Sequence, residues 1–342
     1  MVYSFELIKH ANIRYRESLP SLACCELFAM LYALGINADI RIEKLGHSRF
    51  MTFECRTLSD QELAVLSGHS AVVFMAENRD GLLKPISVAD DPYFPDDLPE
   101  VLKYKGKTGV TFTRMMINVS IALSAFRNCE RTLTFYDPLC GRGTGCFCAL
   151  AAGLNAVGLD VDRKDVREAS DYFSRYLQFH KLKHDMSTFS ETVSNHAVPV
   201  TRFQFAPDRE RYQSGDIHWL KLAVADTADS PALFRKEKAH IMAADLPYGI
   251  QHAPQAGSRP EPLHHFLVRV LPAWKQALYP GGVLAISFNT LTFPAAKVRE
   301  SLLLAGFTLP SDDLFTHLEH DVEHAVVRDV VFALNAEEES VK

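Results

Sequence analysis

Asp137-Pro138-Leu139-Cys140-Gly141-Arg142-Gly143-Thr144-Gly145 joins an apolar, β-forming run, Thr132 to Tyr136, to a small-residue helical stretch, Cys146 to Ala152. A strand that enters a helix through a glycine-rich turn opens a βαβ unit. Glycine reaches backbone angles that other residues avoid, and the helix N-terminal amides stay open to a ligand. Downstream the alternation continues with a strand at Ala156 to Leu159 and a helix from about Lys164 to Phe179 capped by Asp162. Further strands are expected at Lys221 to Ala225, His240 to Ala244 and Gly282 to Phe288, and further helices near Pro262 to Leu278 and Ala295 to Ala305. A hairpin ending in Val330 to Leu334 closes the chain. This order predicts an α/β domain over residues 108–336, doubly wound on a mostly parallel sheet, with ligands at the carboxyl ends of its strands.

Upstream, strand-like Val2 to Ile8 is followed by a helical pattern from Leu19 to Leu34, opened by Ser18-Leu19-Pro20. Then come strand-like Ala38 to Glu43 and Phe50 to Cys55, a helix at Ser59 to Ser67, and the β-branched run Ala71 to Ala76. The order βαββαβ predicts a ferredoxin-like α+β domain over residues 1–78. Residues 79–107 interleave Pro85, Pro92, Pro95 and Pro99 with Asp90, Asp91, Asp96 and Asp97, so an extended linker is expected there. Its end, Lys103-Tyr104-Lys105-Gly106-Lys107, is a small basic patch suited to phosphates or to solvent, leading into a helix at Phe112 to Phe126. Lys183 to Asp216 is polar and irregular apart from a possible strand at Pro199 to Phe205, a candidate lid or substrate loop. Residues 337–342 form an acidic tail.

A net charge of −6 excludes a chain that grips nucleic acid by bulk charge. Seven cysteines in no paired zinc spacing suit reduced thiols, and no metal site is expected. The longest apolar stretch, Ala71 to Ala76, is too short to cross a bilayer, so no membrane contact and a cytoplasmic location are expected.

The glycines alone leave a dinucleotide and other ligands open. Asp137 shifts the choice, since a carboxylate before the turn repels a pyrophosphate but suits the cationic methionine end of S-adenosylmethionine. Asp160, ending the next strand, is placed to accept from ribose hydroxyls, with Val161 beside it. Asp226 either accepts from the adenine amino group or merely starts a loop. Asp245-Leu246-Pro247-Tyr248-Gly249 follows the strand Ala239 to Ala244. The Asp245 carboxylate and the Leu246 carbonyl can accept from an exocyclic amine, with Pro247 fixing the carbonyl direction and Tyr248 stacking on a base unstacked from its strand. Asn289 lines the base pocket or begins a turn. His317, His320 and His324 scatter over the closing hairpin, and His264-His265 sits at a helix start on the surface.

Lys103 to Thr108 with its following helix, Asp137 to Gly145, Val157 to Asp162 and Ala244 to Gly249 together resemble the Rossmann-like class I methyltransferase domain of the tRNA guanine-N2 methyltransferases, the group that often carries a THUMP module. Val2 to Ala76 resembles that group's ferredoxin-like N-terminal domain. The resemblance implies cofactor roles for Asp137, Leu139, Gly141, Gly143, Asp160 and Val161, and for Thr113 and Arg114 at the methionine end. It implies catalytic roles for Asp245, Leu246, Pro247 and Tyr248. The implied reaction is methylation of guanine N2 in tRNA, with adenine N6 in RNA or DNA, or a catalytically idle RNA- or partner-binding module, as the alternatives. Some relatives use a small activator subunit. Two departures stand out: no stretch between the N-terminal module and the helix at Phe112 is long enough for a complete THUMP module, and Leu246 replaces the commoner first proline of the tetrapeptide.

Overall fold

The computed structural model describes residues 1–88, 93–95, 97–104, 107–193, 196–233, 235, 237–247, 255–256, 259–311, 315, 318–323 and 326–336. The first strand, β1 (Val2–Leu7), leads into α1 (Ile13–Ala33). This helix begins six residues before the Leu19 start expected from Ser18, because the Asn12 side chain accepts from the amides of Arg14 and Tyr15 and caps an earlier turn. Pro20 therefore lies inside the helix. The carbonyl its missing N–H would have engaged, that of Arg16, accepts instead from Arg49 Nη1 at 3.2 Å.

Strands β2 (Arg41–Leu45) and β3 (Ser48–Glu54), helix α2 (Asp60–Ser67) and strands β4 (Val72–Arg79) and β5 (Leu82–Pro85) complete an antiparallel sheet in the order β2-β3-β1-β4-β5. Its first four strands have the ferredoxin-like arrangement. β5 falls within the stretch expected to be a linker: a turn with Asp80 and Gly81 at positive φ folds it back on β4, and Pro85 is tolerated on the outer edge. Much of the chain beyond β5 also packs. Phe94 and Leu98 are fully buried around the short α3 (Leu98–Val101), and Tyr93 donates its hydroxyl to the carbonyls of Phe205 and Asp216. Lys107 in the basic patch is taken up by the carbonyls of Pro99 and Leu102. Lys105, Pro92, Asp90, Asp91, Asp96 and the acidic tail lie outside the described residues.

The second unit runs α4 (Val110–Leu123), β6 (Thr134–Asp137), α5 (Thr144–Ala151), β7 (Asn155–Asp160), α6 (Arg163–Phe179), β8 (Lys183–Val193), β9 (His196–Ala206), α7 (Arg209–Ser214) and β10 (His218–Val224). It continues through α8 (Ser230–Leu233), β11 (Ala239–Asp245), the small pair β12 (Gln255–Ala256) and β13 (Arg259–Pro260), α9 (Leu263–Ala277), β14 (Leu278–Asn289), α10 (Ala295–Leu304), β15 (His320–Glu323) and β16 (Val326–Leu334). Its sheet order is β15-β16-β14-β11-β6-β7-β10-β9-β8, with β10, β7, β6, β11 and β14 parallel and β16 reversed beside β14. This is a doubly wound, Rossmann-like sheet with one reversed strand beside β14. Alternate side chains feed two cores: Phe135, Ala156, Ile241 and Val283 face α4 and α5, while Tyr136, Val157, Met242 and Leu284 face α9 and α10.

The expected lid between Lys183 and Asp216 is instead a hairpin of two eleven-residue strands, β8 and β9, that widens the sheet beyond β10. β8 is exposed along most of its length, so its polar composition reflects an edge strand wet on both sides. Among the described residues, no helix is long and apolar enough to cross a membrane.

The two units share one continuous core through α1 against α4. At its centre the fully buried Glu26 accepts from Ser70 N at 2.7 Å, Ser70 Oγ at 2.5 Å and Asn118 Nδ2 at 2.6 Å. The carboxylate thereby ties α1 to α4.

Candidate functional site

The glycine turn is shaped by contacts that exclude side chains. Gly143 sits at φ +86° as the residue before α5, and a Cβ there would meet the Phe147 ring at 3.0 Å. A Cβ on Gly145 would run into Asp137 Oδ2. Gly145→Ala is therefore expected to abolish cofactor binding and to lower the melting temperature, both read by thermal shift with and without S-adenosylhomocysteine; an unchanged ligand-induced shift would show that this close approach is dispensable.

Around the turn the carboxylates double as staples. Asp137 Oδ1 accepts from the Leu139 amide at 3.2 Å. Asp160 accepts from Gly141 N at 2.8 Å on one oxygen and from Asp162 N at 2.9 Å on the other, which locks the turn to the end of β7. Each Asp160 oxygen keeps a second lone pair for a ligand hydroxyl. Tyr104 closes one side: its hydroxyl meets Thr144 Oγ1 at 2.8 Å and its ring carries the Arg142 guanidinium at 4.9 Å.

Adjacent parallel strands bring three acids to one end of the sheet: Asp137 from β6, Asp160 from β7 and Asp245 from β11. Burial pushes the Asp137 carboxyl up to about 8, with the charges of Asp160 and Asp245 adding to it. Burial also raises Asp160. Among the described residues no counter-ion adjoins Asp137, a setting that a cationic ligand relieves and a pyrophosphate worsens.

Asp245 is held from three directions. Ser287 Oγ donates to Oδ1 at 2.7 Å, the Thr108 hydroxyl donates to Oδ2, and Arg328 Nη2 lies 3.6 Å from Oδ2. The Leu246 amide donates to the Ser287 carbonyl at 2.8 Å, so β11 stays zipped to β14 one residue past Asp245 and fixes the chain that carries Pro247. Tyr248 lies outside the described residues. Thr108 falls in a segment quoted for the resemblance, whereas Ser287 and Arg328 lie outside every motif that carries it. The available signal for Arg328 is a charged pair, Arg328-Asp329, inside an otherwise apolar buried strand.

Other expected positions separate from this cluster or serve it indirectly. Thr113 is buried and donates its hydroxyl to the Gly109 carbonyl within α4. Arg114 lines a cleft of about 800 Å³ with Met30, Ser67, Thr132 and Gly153, and none of the three acids is in that lining. Val161 is 59% exposed beside Asp160, open to a ligand. Asp226 caps the turn at Ala228 and is paired by Arg269 Nη1 at 2.8 Å, so its loop-starting role is filled. Asn289 is the turn residue of the two readings given for it, its Oδ1 accepting from Leu291 and Val327 amides. His320 is buried and donates Nδ1–H to the Leu318 carbonyl, while His317 and His324 lie outside the described residues.

No protein-family model matches the chain, and no curated protein does. Solved structures that match the chain include TrmN from Thermus thermophilus, at 14% identity and a TM-score of 0.39, covering 89% of this chain and 64% of that one. Magnesium protoporphyrin IX methyltransferase from Synechocystis PCC 6803, with bound SAH, matches at 14% identity and a TM-score of 0.39, over 68% of this chain and 89% of that one. The ribosomal protein L11 methylase of Lactobacillus delbrueckii subsp. bulgaricus matches at 13% identity and a TM-score of 0.35, over 67% and 81%. This chain thus spans less than two thirds of the Thermus thermophilus chain.

Proposed function

We propose that the chain is an S-adenosylmethionine-dependent methyltransferase that acts on an exocyclic amino group of RNA, with guanine N2 of tRNA as its substrate. The observation that carries this reading is the convergence of Asp137, Asp160 and Asp245 beside a glycine turn with no room for a Cβ at Gly143 or Gly145. Asp137 and Asp160 suit the ammonium and ribose ends of the donor, and Gly141, Gly143 and Gly145 let its backbone-facing edge approach closely. The donor, when bound, supplies an electrophilic methyl group on a cationic sulfur.

Asp245 then does the orienting. An exocyclic amine on an aromatic base is a poor nucleophile because its lone pair is delocalised into the ring. A carboxylate that accepts one N–H turns that lone pair toward the methyl group, and the nitrogen releases a proton to solvent as the new N–C bond forms and the methyl–sulfur bond breaks, its electron pair staying on the sulfur. Ser287, Thr108 and Arg328 grip both oxygens of Asp245 and fix the plane of the carboxylate, so its direction is set before an amine arrives. Orientation of this kind is worth about 7–11 kcal/mol of barrier, far more than the ~1 kcal/mol of a lone hydrogen bond, so positioning is the main catalytic device.

Incubating the purified chain with labelled donor and total RNA, with and without cell extract as a source of a small activator subunit, tests the reading. Nucleoside mass analysis should return N2-methylguanosine. N6-methyladenosine would transfer the same chemistry to the other base, and no methyl incorporation in either condition would overturn the enzymatic reading.

A further inference from the structure

We infer that Arg328 is a positioning residue for the methyl-transfer reaction, one that fixes the direction of the Asp245 carboxylate; the inference rests on the function proposed above. Arg328 is 4% exposed in β16, next to the apolar run Val330, Val331 and Phe332. Burying a guanidinium in such a strand is costly unless its charge is used, and an apolar side chain would pack there at no such cost. Its guanidinium lies 3.6 Å from Asp245 Oδ2 and 5.2 Å from the centre of the Phe112 ring.

The surroundings explain why that charge is wanted. Asp137 on β6 lies close enough to Asp245 to feel its charge, and Thr108 and Ser287 contribute neutral hydroxyls to the Asp245 oxygens. His320 on β15 is held neutral by burial and packs its ring 4.9 Å from Phe112. Arg328 therefore brings a positive charge to the same Asp245 oxygen that accepts from Thr108, and so fixes the direction in which the carboxylate meets an amine N–H. Its seat is braced from the N-terminal unit: Tyr15 of α1 packs 5.5 Å from His320, and Asn12 Nδ2 donates to the Val322 carbonyl at 3.1 Å.

The test compares full-length wild type with Arg328→Met, Arg328→Lys and Phe112→Leu. For Arg328→Met, kcat should fall about 100-fold while the dissociation constant for S-adenosylhomocysteine and the KM for RNA stay within about twofold. Arg328→Lys should recover activity to within about tenfold of wild type, and Phe112→Leu, which keeps the charge but removes its aromatic seat, should lose about tenfold in kcat alone. If Arg328→Met does not fold, the lysine and leucine variants decide by the same criteria. Unchanged kcat in the variants, or a parallel loss of cofactor affinity, overturns the inference while leaving the proposed function intact. A wild-type chain that binds cofactor but methylates no amine overturns both.

Discussion

Asp245→Ala is expected to reduce methyl transfer by about a thousandfold or more while cofactor affinity stays within about threefold. Two features of the site set that asymmetry. The staples proposed to face the cofactor, Asp137 to Leu139 N and Asp160 to Gly141 N, are on β6 and β7 and do not pass through Asp245. The proposed amine acceptor does: without the carboxylate only the Leu246 carbonyl is left at the end of β11, and a single acceptor does not fix the direction of the amine lone pair. Asp245→Asn separates charge from geometry, since it keeps one acceptor oxygen against Ser287 but removes the partner of Arg328, and an intermediate loss is expected. The measurement is single-turnover transfer of labelled methyl to RNA alongside calorimetric binding of S-adenosylhomocysteine. A large loss of cofactor binding in the alanine variant would show that Asp245 belongs to the cofactor site and that the amine is held elsewhere.

Much of the architecture was legible because its signals are local. The Gly141-Arg142-Gly143-Thr144-Gly145 turn, the Asp162 cap and the strands ending in Asp160 and Asp245 depend on residues within a few positions of each other, and they fold as the periodicity indicates. What was not legible depends on partners distant in sequence. Asn12 overrides Ser18 as the start of α1 only because Arg49, far along the chain, satisfies the carbonyl that Pro20 orphans. β8 has too little apolar alternation to be read as a strand, and its pairing with β9, part of which was legible as Pro199 to Phe205, supplies what its composition lacks. In the same way, Ser287 and Arg328 reach Asp245 across strand neighbours that no spacing rule predicts. Asp226 was open between ligand and loop roles, and Arg269 on α9 occupies it.

Asp137 should couple cofactor affinity to pH. Its carboxyl is pushed up to about 8 by burial, so at pH 6 to 7 it is mostly protonated and neutral. A cationic ammonium or sulfonium nearby favours the ionised form, and binding must then expel a proton. The dissociation constant should accordingly fall by about tenfold per unit as pH rises from 6 toward 8 and become flat above it. Calorimetry at pH 7 in two buffers of different ionisation heat should register close to one proton released. The same shift acts on folding with a definite sign. The unfolded carboxyl titrates at the ordinary 3.8, so this group's contribution to stability is complete below that value, declines as pH rises between the two, and is gone above about 8. The slope is at most about 1.4 kcal/mol per pH unit. Asp160, raised by burial as well, adds to it in the same direction. Asp137→Asn removes both linkages at once: the protein should melt higher than wild type at pH 8, by several degrees, and bind cofactor more weakly with little pH dependence. A variant that binds as tightly as wild type at pH 8, or a wild type whose affinity is level from pH 6 to 8, would remove Asp137 from the cofactor's cationic end and leave its burial to be explained by the glycine turn alone.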